Sequence, residues 1–154
     1  MPDVVFTSSI SVEHRDEVER ILYFNDNQAK VVGAVEVVTA RYGMPRLRVI
    51  ADRLCIAMEQ HEPQTLFAVA VEGERATPIG AAVYLREGDT LQVLFVAVRE
   101  DYCSDGEQGD VGLLRRIVAE LTGIARRVRG VTALSIYFGR PTPTRIVIRR
   151  PARS

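Results

Sequence analysis

At 154 residues, 47% apolar and 26% charged, with zero net charge, the chain is sized and composed for one folded core, which excludes a chain disordered as a whole. No apolar run approaches the ~20 residues of a membrane span, and the first residues lack the basic-then-apolar layout of a secretory signal. Two distant cysteines, Cys55 and Cys103, do not make a disulfide framework, so one cytoplasmic domain over residues 1–154 is expected.

Taken in chain order, residues 3–7 (DVVFT) are β-branched and apolar and read as a first strand. Ser11 is placed to cap a helix whose inner face is Val18, Ile21 and Leu22. From Ala29 to Tyr42, the spacing of Val31, Val35, Val38 and Tyr42 favours a helix, while the valines themselves would also suit a strand. After the break at YGMP, Leu47, Ile50, Ala51, Leu54, Cys55 and Met58 make a helical stripe that places Cys55 in the core; His61-Glu62-Pro63 ends it. Residues 66–72, 79–86 and 91–98 read as an antiparallel meander joined at Gly73 and at Gly88-Asp89, its last strand nearly all apolar. A turn carrying Gly106, Gly109 and Gly112 leads to a long helix with Leu114, Ile117, Val118, Leu121, Ile124, Ala125 and Val128 inward, closed by Gly130. TALSIYF and TRIVIRR read as the last two strands, the second with Ile146 and Ile148 facing in and Arg145, Val147 and Arg149 facing out. The expected class is α/β (α+β): a mixed, largely antiparallel sheet flanked by helices, in the order β-α-α-α-β-β-β-α-β-β.

Two charge features cut across this order. The glycine turn carries Glu100, Asp101, Asp105, Glu107 and Asp110 with no basic residue between Arg99 and Arg115, and Asp110 is placed to cap the helix. After Glu120 there is no acid, while eight arginines follow; 19 of the 20 basic residues of the chain are Arg. The acidic turn and this basic end could attract one another, or the arginines could hold an acidic protein or nucleic acid phosphates, although only Tyr137 and Phe138 are there to stack on bases.

The run from AVREDY at 97–102, through the glycines and Leu113-Leu114, to GVTALSIYF at 130–138 resembles the stretch of the GNAT acetyltransferase superfamily from its fourth strand through its acyl-CoA-binding helix to its fifth strand. The likeness covers about residues 65–138. It implies an acyl-CoA N-acyltransferase-like fold, acetyl-CoA or another acyl-CoA as cofactor, and a small-molecule or protein amine as acceptor. The backbone of Val96, Ala97 and Val98 would face the pantetheine arm of the cofactor. Gly106, Gly109 and Gly112 would form its phosphate-binding turn, where exposed helix amides attract a pyrophosphate. The last strand of such folds often pairs across a homodimer.

Three departures from that pattern stand beside it. The turn is two residues longer than the common form, it is acidic where a ligand with several negative charges would lie, and the family's Tyr-bearing helix after the fifth strand is replaced by GRPTPTRIVIRR. Where a carboxylate base would stand on the fourth strand the chain has Gln92, which leaves Asp89 and Tyr137 as candidates for base and acid, and a domain that kept the fold without the enzyme as the alternative. His14 and His61 have no close Cys or His partner, so no metal is expected, and Cys103 lies among acids that disfavour a thiolate.

Overall fold

The computed structural model describes residues 3–23, 32–59, 61–102, 112–137 and 142–149. It is a mixed α/β fold with a largely antiparallel sheet flanked by few helices. The elements are β1 (Asp3–Thr7), β2 (Ile10–Ser11), α1 (Arg15–Tyr23), α2 (Val32–Tyr42), β3 (Arg46–Ile50), β4 (Arg53–Ala57), β5 (Gln64–Glu72), β6 (Arg75–Glu87), β7 (Thr90–Val98), α3 (Leu113–Arg127), β8 (Ala133–Ile136) and β9 (Thr144–Val147). Six strands form one sheet in the order β1-β5-β6-β7-β8-β9, and three form a second in the order β2-β4-β3. In the large sheet only β7 and β8 run parallel, because α3 carries the chain back to the starting edge between them.

The pleat of the large sheet divides the apolar residues into two cores. Leu66, Ala68 and Ala70 of β5 join Leu113, Ile117, Leu121 and Ala125 of α3 in one. Phe67 and Val69 of β5 join Val18 and Leu22 of α1, Val38 and Tyr42 of α2, and Leu54 and Ile56 of β4 in the other. β5, β6 and the first half of β7 are therefore apolar on both faces, as strands covered on both sides must be. Among the described residues no helix is long and apolar enough to cross a membrane.

The expected helix between Pro45 and His61 is instead the β3–β4 hairpin, so the order of elements departs there from the one anticipated. Its stripe at helical spacing is accidental. The alternation that decides the fold is Arg46, Arg48 and Ile50 against Leu47 and Val49, answered by Leu54, Ile56 and Met58 at intervals of two. Leu54, Ile56 and Met58 are buried, whereas Cys55 looks the other way and is half-exposed rather than in the core. His61 likewise belongs to the segment leading into β5, not to the end of a helix. The hairpin turns on Ala51 and Asp52, both at positive φ (50° and 62°), the mirror-image conformation a two-residue loop needs and for which Asn-Gly is the usual signal. Alanine in that region is strained by about 1 kcal/mol. Ala51→Asn with Asp52→Gly is expected to raise stability by about 1 kcal/mol in urea titrations; a neutral or destabilising result would count against this turn.

Elsewhere most anticipated pieces are in place, although in α3 the residue facing in at the first turn is Leu113, and Leu114, expected inward, is 45% exposed. Residues 32–42 are helical, and Val38 and Tyr42 are buried, while Val31 and Val35 lie outside the described side chains. Ser11 accepts a hydrogen bond from the Glu13 amide at 3.4 Å, capping the short 3-10 turn that leads into α1. In β9, Ile148 just past the strand is buried and Val147 is 66% exposed, as the alternation required.

Candidate functional site

The most irregular place in the large sheet is the second half of β7. Pairing with β6 runs Tyr84 to Val93 and then Val83 to Phe95, so Leu94 is the extra residue of a β-bulge. The bulge resets which side chains face which core. Val93 and Val96 both pack toward α3, while Leu94 and Phe95 both point to the opposite core. Directly at the bulge the parallel ladder to β8 stops. Its rungs are Thr90–Ala133, Leu91–Leu134, Gln92–Ser135 and Val93–Ile136, and among the described residues no strand continues it beside Leu94–Ala97. Among the described residues this edge of β7 is thus open from Leu94 on, and Phe95–Val98 along it are half-buried.

The first turn of α3 packs over the C-terminal half of β7, where that strand pairs with β6. A Cβ placed on Gly80 of β6 would stand 3.2 Å from the carbonyl oxygen of Ala97 and 3.5 Å from Cδ2 of Leu113, so Leu113 and the C-terminal half of β7 share the space that glycine leaves. Gly112 precedes the helix in the left-handed conformation, φ 63° and ψ 45°, and as a glycine offers the helix amides no side-chain cap of its own. That residue, and not Asp110, occupies the N-cap. Arg115 and Arg116 in the first turn are exposed and have no ion-pair partner among the described residues, adding positive charge to the positive end of the helix dipole.

The opening of the acidic turn is pinned to the protein. Arg99 donates from Nε and Nη2 to the two oxygens of Asp101 at 2.6 and 2.7 Å, and its guanidinium lies 5.2 Å over the ring of the buried Tyr102. One of the five carboxylates of the turn is thereby neutralised. The Arg99 hydrogen bonds hold the Asp101 carboxyl below the usual carboxylate range, against an opposing contribution from burial. A depressed folded-state value means the contribution is whole above the unfolded value near 3.9 and is lost as pH falls through the folded one. The difference in stability between wild type and Asp101→Asn should therefore be constant from neutral pH to about 5 and shrink below about 4. With Asp101 34% exposed, the pair contributes about 1 kcal/mol at most. A difference that stays flat to pH 2.5 would remove the pair's assigned role.

Val96, Ala97, Val98 and Gly112 of the anticipated cofactor set thus converge on one region. Gly106 and Gly109 lie outside the described residues, as does Cys103. Asp89 is not brought to the same place. It sits in the exposed turn before Thr90, eight residues or roughly 25 Å along β7 from Ala97. Its carbonyl accepts the Thr132 amide at 2.7 Å and its carboxylate accepts the hydroxyls of Thr90 and Thr132 at 3.1 and 3.2 Å. Those hydroxyls, Thr90 first, hold its carboxyl below the usual range. Asp89 fastens the β6–β7 turn to the entry of β8.

Tyr137 follows β8 and packs against the second core, where it borders a polar group the sequence did not reveal. The Tyr42 hydroxyl donates to Glu87 Oε1, and Arg41 donates to Oε2 at 2.8 Å. Burial, and then the bond to Glu87, push the Tyr42 hydroxyl well above its ordinary value, so it stays protonated. Tyr42 and Glu87 are 45 residues apart, too far for any local spacing to announce them. Beside the last rungs of the parallel ladder, Gln92 and Ser135 are buried neighbours, and Gln92 Nε2 has no hydrogen-bond partner among the described residues. His14 is on the surface, with Nδ1 3.0 Å from Glu17. No group of three or more His, Cys, Asp or Glu placed to hold a metal ion occurs among the described residues. Compared with known proteins, the chain matches no protein-family model, no curated protein and no solved structure.

Proposed function

We propose that the domain is an acyl-CoA-dependent N-acyltransferase of the GNAT kind, with acetyl-CoA or another acyl-CoA as donor and an amine as acceptor. The observation that carries this reading is the parallel β7–β8 ladder ending at Val93–Ile136, next to the bulge at Leu94. Such an opening offers extended backbone at Phe95–Ala97 to a ligand that pairs as a strand does, which the two amides of a pantetheine arm can do. The first turn of α3, which packs over the same half of β7, has a glycine N-cap that supplies no side-chain cap and carries Arg115 and Arg116, and so suits the pyrophosphate at the other end of the same ligand. Neutralisation of Asp101 by Arg99 removes part of the repulsion that the acidic turn would impose.

A second reading is favoured by Gln92. Gln92, on the last but one rung before the ladder stops, cannot take a proton, and Asp89 is at the other end of the strand. The domain would then bind an acyl-CoA, or a ligand shaped like its arm, without turning it over.

Calorimetric titration of acetyl-CoA and free CoA tests both readings together, and amine-dependent release of free thiol separates them. Gly112→Asp sharpens the binding test. Aspartate tolerates the left-handed conformation and caps a helix, so stability should change by less than about 1 kcal/mol. Its carboxylate would occupy the α3 amides and repel phosphate, lowering CoA affinity about tenfold or more. Equal affinity in the two proteins would remove α3 from the site, and no binding at millimolar CoA would remove the acyl-CoA reading altogether.

A further inference from the structure

We infer that the cleft between the β3–β4 hairpin and the segment joining β4 to β5 is a separate binding site, for a small zwitterion of the free amino acid or short peptide class. The cleft has a volume of about 750 Å³, within the range of small-molecule sites. Its lining is divided by charge. β3 contributes Arg46 and Arg48, the connecting segment contributes Glu59 and Glu62, and the half-buried Ala57 lies among the apolar residues that line it. His61 also lines the cleft, and its Nδ1 is buried with no hydrogen-bond partner among the described residues.

Two walls of opposite charge could simply neutralise each other, but the contacts do not do so. Among the described residues the one ion pair across the cleft, Arg48 Nη1 to Glu62 Oε1, spans 4.0 Å with the side chains 55% and 93% exposed. That is too long for a hydrogen bond, and pairs so exposed contribute little. Arg46 and Glu59 have no ion-pair partner among the described residues. A carboxylate held by the guanidiniums and an ammonium held by the carboxylates would satisfy both walls with charge-assisted hydrogen bonds, and an aliphatic side chain would cover Ala57, the register partner of Arg46. A polyanion or a polycation would meet one repelling wall. Nothing in this site uses β7 or α3, so it stands or falls apart from the acyl-CoA reading.

Cys55 supplies the readout, because it also lines the cleft and is half-exposed. Alkylation of the full chain by iodoacetamide is followed at Cys55 by peptide mass spectrometry, with Cys103 as the internal reference. The probe is leucyl-leucine, compared with its N-acetyl form and its C-terminal amide. At about 5 mM free dipeptide, a Kd of about 1 mM slows alkylation of Cys55 roughly sixfold and leaves Cys103 unchanged. The acetylated and amidated forms, each lacking one charge, should slow it less than about twofold. In the Arg46→Gln/Arg48→Gln protein the free dipeptide should protect no better than the amide. Should Cys55 react too slowly to follow, backbone amide shifts at residues 46–48 and 59, 61 and 62 read the same comparison. Absence of protection or shifts with the free dipeptide, or equal effects from all three forms, overturns the site.

Discussion

Phe67→Ala is expected to cost about 3–5 kcal/mol, a large share of the total stability of a domain of this size. Phe67 has no exposed surface and lies in the core where β5 meets α1, α2 and the small sheet. Its register partners on the large sheet are Thr7 of β1 and Ala81 of β6, neither of which can grow into the space a lost ring leaves. Close by, the Thr65 hydroxyl accepts the Ile56 amide at 2.9 Å, one of the few polar links between the two sheets. The small sheet is therefore held largely by the apolar contacts of which Phe67 is part. The midpoint of thermal unfolding should fall by roughly 10 °C or more, whereas Phe67→Leu, which keeps most of the volume, should cost less than about 1.5 kcal/mol. A loss below 1 kcal/mol for the alanine variant would mean that this core is not packed as described.

Legibility in the sequence followed the length over which a pattern is sustained. The meander and α3 could be read directly, because nine-residue strands and a fifteen-residue helix repeat their period often enough to exclude the other one. The β3–β4 hairpin could not, because each strand has five residues and Leu47, Ile50, Leu54 and Met58 happen to fit a helical stripe. The discriminating signal was the Arg-apolar alternation at 46–49, and its turn lacks the Asn-Gly that would have drawn attention to it. For the site, the strand-to-helix order was legible, whereas the stop of the β7–β8 ladder at Val93 is a property of two strands whose paired residues are 43 positions apart. The Tyr42–Glu87 bond, set by how α2 packs on the sheet, and the fastening role of Asp89, set by the register of β7 and β8, are likewise long-range facts and follow from no motif. Asp89 drew notice because it is an acid in the turn before the right strand. The same position puts it at the wrong end of that strand for work near Ala97.

Gly80→Val should have the second large effect, and it acts on the joint between β7 and α3. Gly80 pairs with Val98, and even one added carbon would stand 3.1 Å from Ile117 Cδ1 and 3.2 Å from the Ala97 carbonyl oxygen. The Ile117 methyl can yield, but the Ala97 oxygen belongs to the backbone of the bulged strand and the nearby Arg99 amide donates to the Ile79 carbonyl at 2.8 Å. Alanine should cost about 1 kcal/mol, and valine about 3 kcal/mol as α3 is pushed from the sheet. Hydrogen exchange locates the damage: amides of Ala97–Arg99 and of the first turns of α3 should lose protection while those of β1 and β5 keep theirs. If the domain binds acyl-CoA as proposed, affinity should fall in the same variant, since strand backbone and helix amides would no longer be held in one geometry. A valine variant as stable as wild type would show that α3 does not rest on Gly80. A destabilised variant with undiminished CoA affinity would keep the packing and move the ligand elsewhere.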